Sequence, residues 1–160
     1  MTFEQIVSDI KKKKYYPIYF LMGEEPYFID VVSDTIEDTV LDEAEKTFNQ
    51  IIMYGRDVTI KDIVNQARAF PMMGNYMGVI VKEAQAIQNI EDLEQYINLI
   101  PDTTILVIDY KYKKLLMHFV YNFFLLHFLY HCLFLQLDCY HPLLKTYLLH
   151  NKHRYMKSKD

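Results

Sequence analysis

The first place to look for chemistry in this 160-residue chain is Gly23-Glu24-Glu25-Pro26. A run of five apolar residues, Ile18 to Met22, precedes it and suits a strand buried on both faces. Gly23 breaks the run, and Pro26 is well placed in the first turn of a helix. Strand, tight turn and helix form the layout in which phosphate-binding loops are built, with backbone N–H groups at the helix start facing the anion. The phosphate chemistry itself is missing. A nucleotide cradle needs successive glycines for close backbone approach, a Lys for the phosphates and a Ser or Thr for the metal ion. Here the turn carries two carboxylates, which repel a polyphosphate. The segment therefore reads as a degenerate phosphate loop. Glu24 and Glu25 could alternatively act as a metal or acid–base pair, but with no His nearby a solvated turn accounts for them.

Other reactive residues are scattered. Asp109 closes an expected strand at the carboxyl edge of a sheet, where active sites are common. No catalytic partner is in view, so a structural role is expected. Lys111, Lys113 and Lys114 form a basic turn that either meets DNA phosphate within an assembly or faces solvent. Lys11 to Lys14 read as a solvated helix end, cationic where the helix dipole is negative. His127, His131, Cys132, Cys139 and His141 follow no closed zinc spacing, and no metal or cofactor is expected.

These residues are positioned by alternating elements. Thr2 with Gln5 makes a capping-box pattern ahead of Phe3, Ile6, Val7 and Ile10 at helical spacing. Pro17 to Met22 is the first strand. Pro26 to Val40 is a helix with Tyr27, Phe28, Val31, Val32, Ile36 and Val40 on one face. Phe48 to Tyr54 is the second strand. Thr59 caps a third helix that carries Ile60, Ile63, Val64 and Ala67. Met77 to Val81, Glu91 to Ile100 and Thr104 to Ile108 follow as strand, helix and strand. Such alternation predicts an α/β fold, with right-handed crossovers and a mostly parallel sheet flanked by helices.

Composition divides the chain near Lys114. Residues 1–114 hold 19 of the 21 acidic and 12 of the 17 basic residues, a net charge of −7 that disfavours non-specific binding to nucleic acid. They contain no Cys, and residues 2–14 hold no continuous apolar run, so no disulfide framework or secretory signal is expected and a cytoplasmic setting follows. All six His and both Cys lie at or beyond His118, and no Gly, Ala or Glu occurs after Lys114.

Four segments of the first part, in order, resemble the delta subunit of the bacterial DNA polymerase III clamp loader. Tyr19-Phe-Leu-Met-Gly-Glu-Glu-Pro-Tyr-Phe-Ile-Asp30 resembles its opening "YLLxGxExyli" segment, and Ala67-Arg-Ala-Phe-Pro-Met-Met-Gly74 its "A-x-x-L-P-F-F-G" segment. Val79-Ile-Val-Lys-Glu-Ala84 resembles its third strand, and Leu106-Val-Ile-Asp-Tyr-Lys-Tyr-Lys-Lys114 its fourth strand and basic turn. The resemblance implies an AAA+-like N-terminal domain over residues 1–114, truncated, with P-loop-type architecture but no functional P-loop and no ATPase activity. It implies DNA replication as the setting, the beta sliding clamp as the ring bound and opened, and the other clamp-loader subunits as partners. DNA would be met only indirectly or within that assembly, as part of a holoenzyme whose polymerase is the nucleotidyltransferase. The clamp contact implied is the segment Phe70, Pro71, Met72, Met73 and Gly74. Pro71 stops a helix and Gly74 allows a tight turn, so the Met pair either protrudes for a partner or tucks back into the core. Met also departs from the aromatic or Leu-Phe pair usual in the family, which implies a weaker contact.

After Lys114 the resemblance stops. Residues 115–160 form an apolar tail rich in His, Leu, Phe and Tyr, whose vocabulary is that of A/T-rich coding sequence read in a shifted frame; a frameshift-derived segment of doubtful fold is expected. Leu115 to Leu137 also offers 23 residues without Asp, Glu, Lys or Arg, long enough for a membrane helix, though three His, an Asn and a Gln weaken that reading. The alternatives to a clamp-loader subunit are a nucleotide-binding α/β enzyme and a small membrane-anchored protein.

Overall fold

The computed structural model describes residues 3–72 and 74–112, and the backbone of residues 133–136. Helix α1 (Phe3–Lys11) leads to strand β1 (Ile18–Gly23), then helices α2 (Pro26–Thr39) and α3 (Glu43–Asn49). Strand β2 (Gln50–Tyr54), helix α4 (Ile60–Ala67) and strand β3 (Met77–Lys82) follow. Two 3₁₀ segments, Ala84–Ala86 and Ile90–Leu99, precede β4 (Thr104–Lys111), and β5 is Leu133–Gln136.

The strands form one parallel sheet in the order β2-β3-β4-β1-β5. Strand alternation sends its side chains into two cores. Phe20, Met22, Val79, Val81, Leu106 and Ile108 pack with Ile63 and Val64 of α4 and Leu93 and Ile97 of the second 3₁₀ segment. Tyr19, Leu21, Ile80, Ile105 and Val107 pack on the other face with Ile6 and Ile10 of α1 and Ile29, Val32 and Ile36 of α2. Helices on both faces of a parallel sheet are the expected α/β architecture.

Several local expectations change. The second strand begins at Gln50, because residues 43–49 are a helix that the sequence reading did not contain. Asp42 and Glu45 close a capping box there: the Glu45 N–H donates to Asp42 Oδ1 at 2.8 Å and the Asp42 N–H to Glu45 Oε2 at 3.1 Å. The buried stripe of α2 runs through Ile29, Val32, Ser33 and Ile36, whereas Tyr27 is exposed. The segment expected as the helix Glu91 to Ile100 is 3₁₀ from Ile90 to Leu99. Asn89 precedes it in the left-handed region, with φ 53° and no side-chain cap. The backbone donors at its start are satisfied by tightening, as in the 2.9 Å bond from the Asp92 N–H to the Asn89 carbonyl. Strand β4 runs three residues beyond Ile108, which puts Asp109 within the strand. Thr2 of the expected first capping box lies outside the described residues.

The apolar tail, for which the sequence supplies no defined fold, contributes β5: Tyr19 to Met22 pair with Leu133 to Gln136. These four residues belong to the apolar window considered above as a membrane helix, and they are strand. Among the described residues no helix is long and apolar enough to cross a membrane.

Candidate functional site: a filled carboxyl edge and a protruding loop

The carboxyl ends of the parallel strands are where α/β folds bind ligands, and here protein side chains fill that edge. Gly23 is buried at the end of β1 and Pro26 opens α2. Glu25 is the N-cap, its carboxylate accepting from the Tyr27 N–H at 3.5 Å. The helix terminus that would face a phosphate thus has its own anion. Glu24 and Glu25 are exposed, in keeping with a solvated turn.

Behind the turn, α2 supplies further carboxylates to the lysines that end β3 and β4. Lys111 Nζ lies 2.5 Å from Asp30 Oδ1 and 3.5 Å from Glu83 Oε1. Burial works against its charge, but the Asp30 bond and the surrounding carboxylates outweigh burial and hold the ammonium above its usual pKa. Lys82 Nζ lies 2.9 Å from Glu37 Oε2 and 3.6 Å from Asp34 Oδ1. Lys111, considered above as a DNA contact, is instead a buried cross-brace between α2 and the sheet; Lys113 and Lys114 lie outside the described residues. Asp109 is 1% exposed and accepts from Ser33 Oγ at 2.8 Å. Burial pushes its carboxyl up to about 7, against the opposing pull of the Ser33 bond and the Lys111 charge. Among the described residues no group of His, Cys, Asp and Glu could hold a metal ion, and His127, His131, Cys132, Cys139 and His141 lie outside them.

The second candidate is at the opposite, amino edge of the sheet, where the loop after α4 enters β3. Ala67 ends α4, and its carbonyl accepts from the buried Thr104 hydroxyl at 2.8 Å, which ties the helix end to the start of β4. Beyond that anchor Phe70 is 75% and Met72 76% exposed, Pro71 is half-buried, and Gly74 is exposed with φ +73°. Gly is suited to that left-handed angle. Met73 lies outside the described residues. Of the two outcomes left open for the pair, Met72 takes the protruding one.

Two residues that sequence reasoning passed over hold this loop from α3. The Met72 N–H donates to Asn49 Oδ1 at 2.8 Å, with Asn49 fully buried. A Cβ at Gly74 would overlap the Glu45 carboxylate. The Asp42–Glu45 capping-box pattern was the available signal for α3; nothing in the sequence marks Asn49.

With this geometry in place, kinship decides between the architectures that share it. The family model for the DNA polymerase III delta subunit matches residues 19–120. The chain belongs to that family. The delta-family chain is 29% identical over 125 residues to DNA polymerase III subunit delta of Bacillus subtilis strain 168, across 72% of this chain and 36% of that protein. Its fold is similar to that of the Bacillus subtilis DNA clamp loader delta protein, with a TM-score of 0.66 at 23% identity over 84% of this chain and 42% of that one. It is similar also to a DNA polymerase III gamma subunit-related protein of Thermotoga maritima, with a TM-score of 0.52 at 15% identity over 89% of this chain and 48% of that one. The delta-family chain thus spans less than half the length of each of these relatives.

Proposed function

We propose that this delta-family chain binds the sliding clamp through the loop Phe70, Pro71, Met72, Met73 and Gly74, and so takes part in opening the ring during clamp loading. The observation that carries the reading is the exposure of Phe70 and Met72, 75% and 76%, on a loop anchored at both sides. Exposed large apolar side chains on a fixed backbone are suited to a partner's groove, and Met adapts its shape to one. ATP chemistry would come from other subunits; what supports this is that the turn Gly23, Glu24, Glu25, Pro26 has no phosphate-binding Lys or Ser and that Glu25 itself caps the helix that follows. The remaining proposals are assembly with the other loader subunits, DNA contact only through that assembly, a cytoplasmic setting, and a division into a clamp-binding unit at residues 1–114 and a tail at 115–160 derived from a shifted frame. Sequencing the gene and mass spectrometry of tail peptides test the last of these.

The direct test is the affinity of the full chain for purified bacterial sliding clamp, measured by surface plasmon resonance with and without Met72→Ala plus Met73→Ala. Burying one Met side chain contributes about 1.5–3 kcal/mol, and about 1.4 kcal/mol is tenfold in affinity. The double variant is therefore expected to bind at least about tenfold more weakly, with its melting temperature unchanged and with MgATP affecting neither protein. Undiminished binding by the variant would remove the loop from the contact.

A further inference from the structure

Among the described residues the loop lies outside any helix or strand, so its shape depends on what it rests on. Besides the Thr104 bond that holds the end of α4, two contacts reach the loop from a single face of α3. Glu45 and Asn49 are four residues apart, which stacks them one turn above the other. Asn49 Oδ1 accepts from the Met72 N–H at 2.8 Å, and Glu45 closes against Gly74, where a side chain would overlap its carboxylate. The supports are themselves fixed. Asn49 is fully buried at the junction with β2, and Glu45 is held in the capping box with Asp42. One residue of the apolar pair and the glycine that closes the loop are thus tied down, while the Phe70 and Met72 side chains stay three-quarters exposed.

We infer that α3 is a cradle that presents the loop carrying Phe70 and Met72 to the clamp, with Asn49 as the positioning residue; the inference rests on the clamp-contact reading above. Holding the loop in one shape before the partner arrives removes an ordering cost from binding, so affinity should depend on α3 although its cradle residues touch no partner. Gly74 is favoured there by its φ of +73°, and a Cβ at that position would in addition require the Glu45 carboxylate to move aside.

The test uses the full chain and two single variants. In Asn49→Ala, hydrogen exchange of the Met72 amide is compared with that of Ile80 and Val107 in the core strands, and clamp affinity is measured alongside. The expected result is Met72 exchange faster by about tenfold, core amides unchanged, and clamp affinity weaker by about tenfold. Gly74→Ala, strained at φ +73° and displacing the Glu45 carboxylate, is expected to weaken clamp binding by a similar factor. Unchanged affinity in either variant, where Met72→Ala plus Met73→Ala does weaken binding, overturns the cradle and leaves the contact standing. Core amides that speed up together with Met72 also overturn it, because Asn49 would then serve general stability. Full binding by the double Met variant overturns the contact reading and the cradle with it.

Discussion

At the scale of single residues, the carboxyl edge is filled by the protein's own charged groups. Lys111 braced by Asp30 and Glu83, Glu25 capping α2, and Asp109 sealed against Ser33 leave charges answered from within the protein. Asp109 is the costly member, since its Oδ1 is buried with no hydrogen-bond partner among the described residues. Its folded pKa, about 7, lies above the ordinary carboxylate value, so between roughly pH 4 and 7 the folded state holds a proton that the unfolded state has released. Its contribution is fully present below pH 4 and is lost as pH rises through 7. Asp109→Asn keeps an acceptor for Ser33 and cannot ionise. Thermal melts of both proteins at pH 5 and pH 8 should show the variant gaining at pH 8, by an amount on the order of a kcal/mol or more, and losing the decline between the two values. Gly23, Pro26 and the two Glu were legible in the sequence because turn chemistry is local. Asn49 was not, because its partner Met72 is distant in sequence and a lone Asn before a strand has no pattern.

At the scale of elements, signals that act within four residues proved the most readable. Thr59 caps α4 as its spacing predicts: the Thr59 N–H donates to Asp62 Oδ2 at 2.9 Å and the Asp62 N–H returns to Thr59 Oγ1 at 3.4 Å. Thr59→Ala should cost about 1 kcal/mol, read as a lower urea midpoint with an unchanged slope. Because α4 carries the contact loop at its far end, that variant should leave clamp affinity within about twofold, since loss of an N-cap frays only the first turn. Strands β1, β3 and β4 were legible from unbroken apolar runs, which a parallel sheet covered on both faces demands. Other elements escaped. Helix α3 is seven residues long with too short a stripe to register against the β-prone residues after it. The 3₁₀ character of Ile90–Leu99 depends on how its start is capped, which periodicity does not report.

At the scale of the whole molecule, the sheet separates two edges with different fates. The carboxyl edge, where a nucleotide would bind, is cross-braced; the amino edge presents Phe70 and Met72 on a loop set by α3 and by Thr104. Strand order lay beyond the sequence, since crossovers of similar length fit several orders. Strand β5 lay beyond it too: a short apolar segment extends a parallel edge through main-chain bonds, which ask little of side chains. The most direct test of the account is a hydrogen-exchange footprint of the sliding clamp on the full chain. Slowed exchange is predicted over residues 69–76, and none over residues 23–30 and 82–85. Protection at the carboxyl edge with an unprotected loop would contradict it.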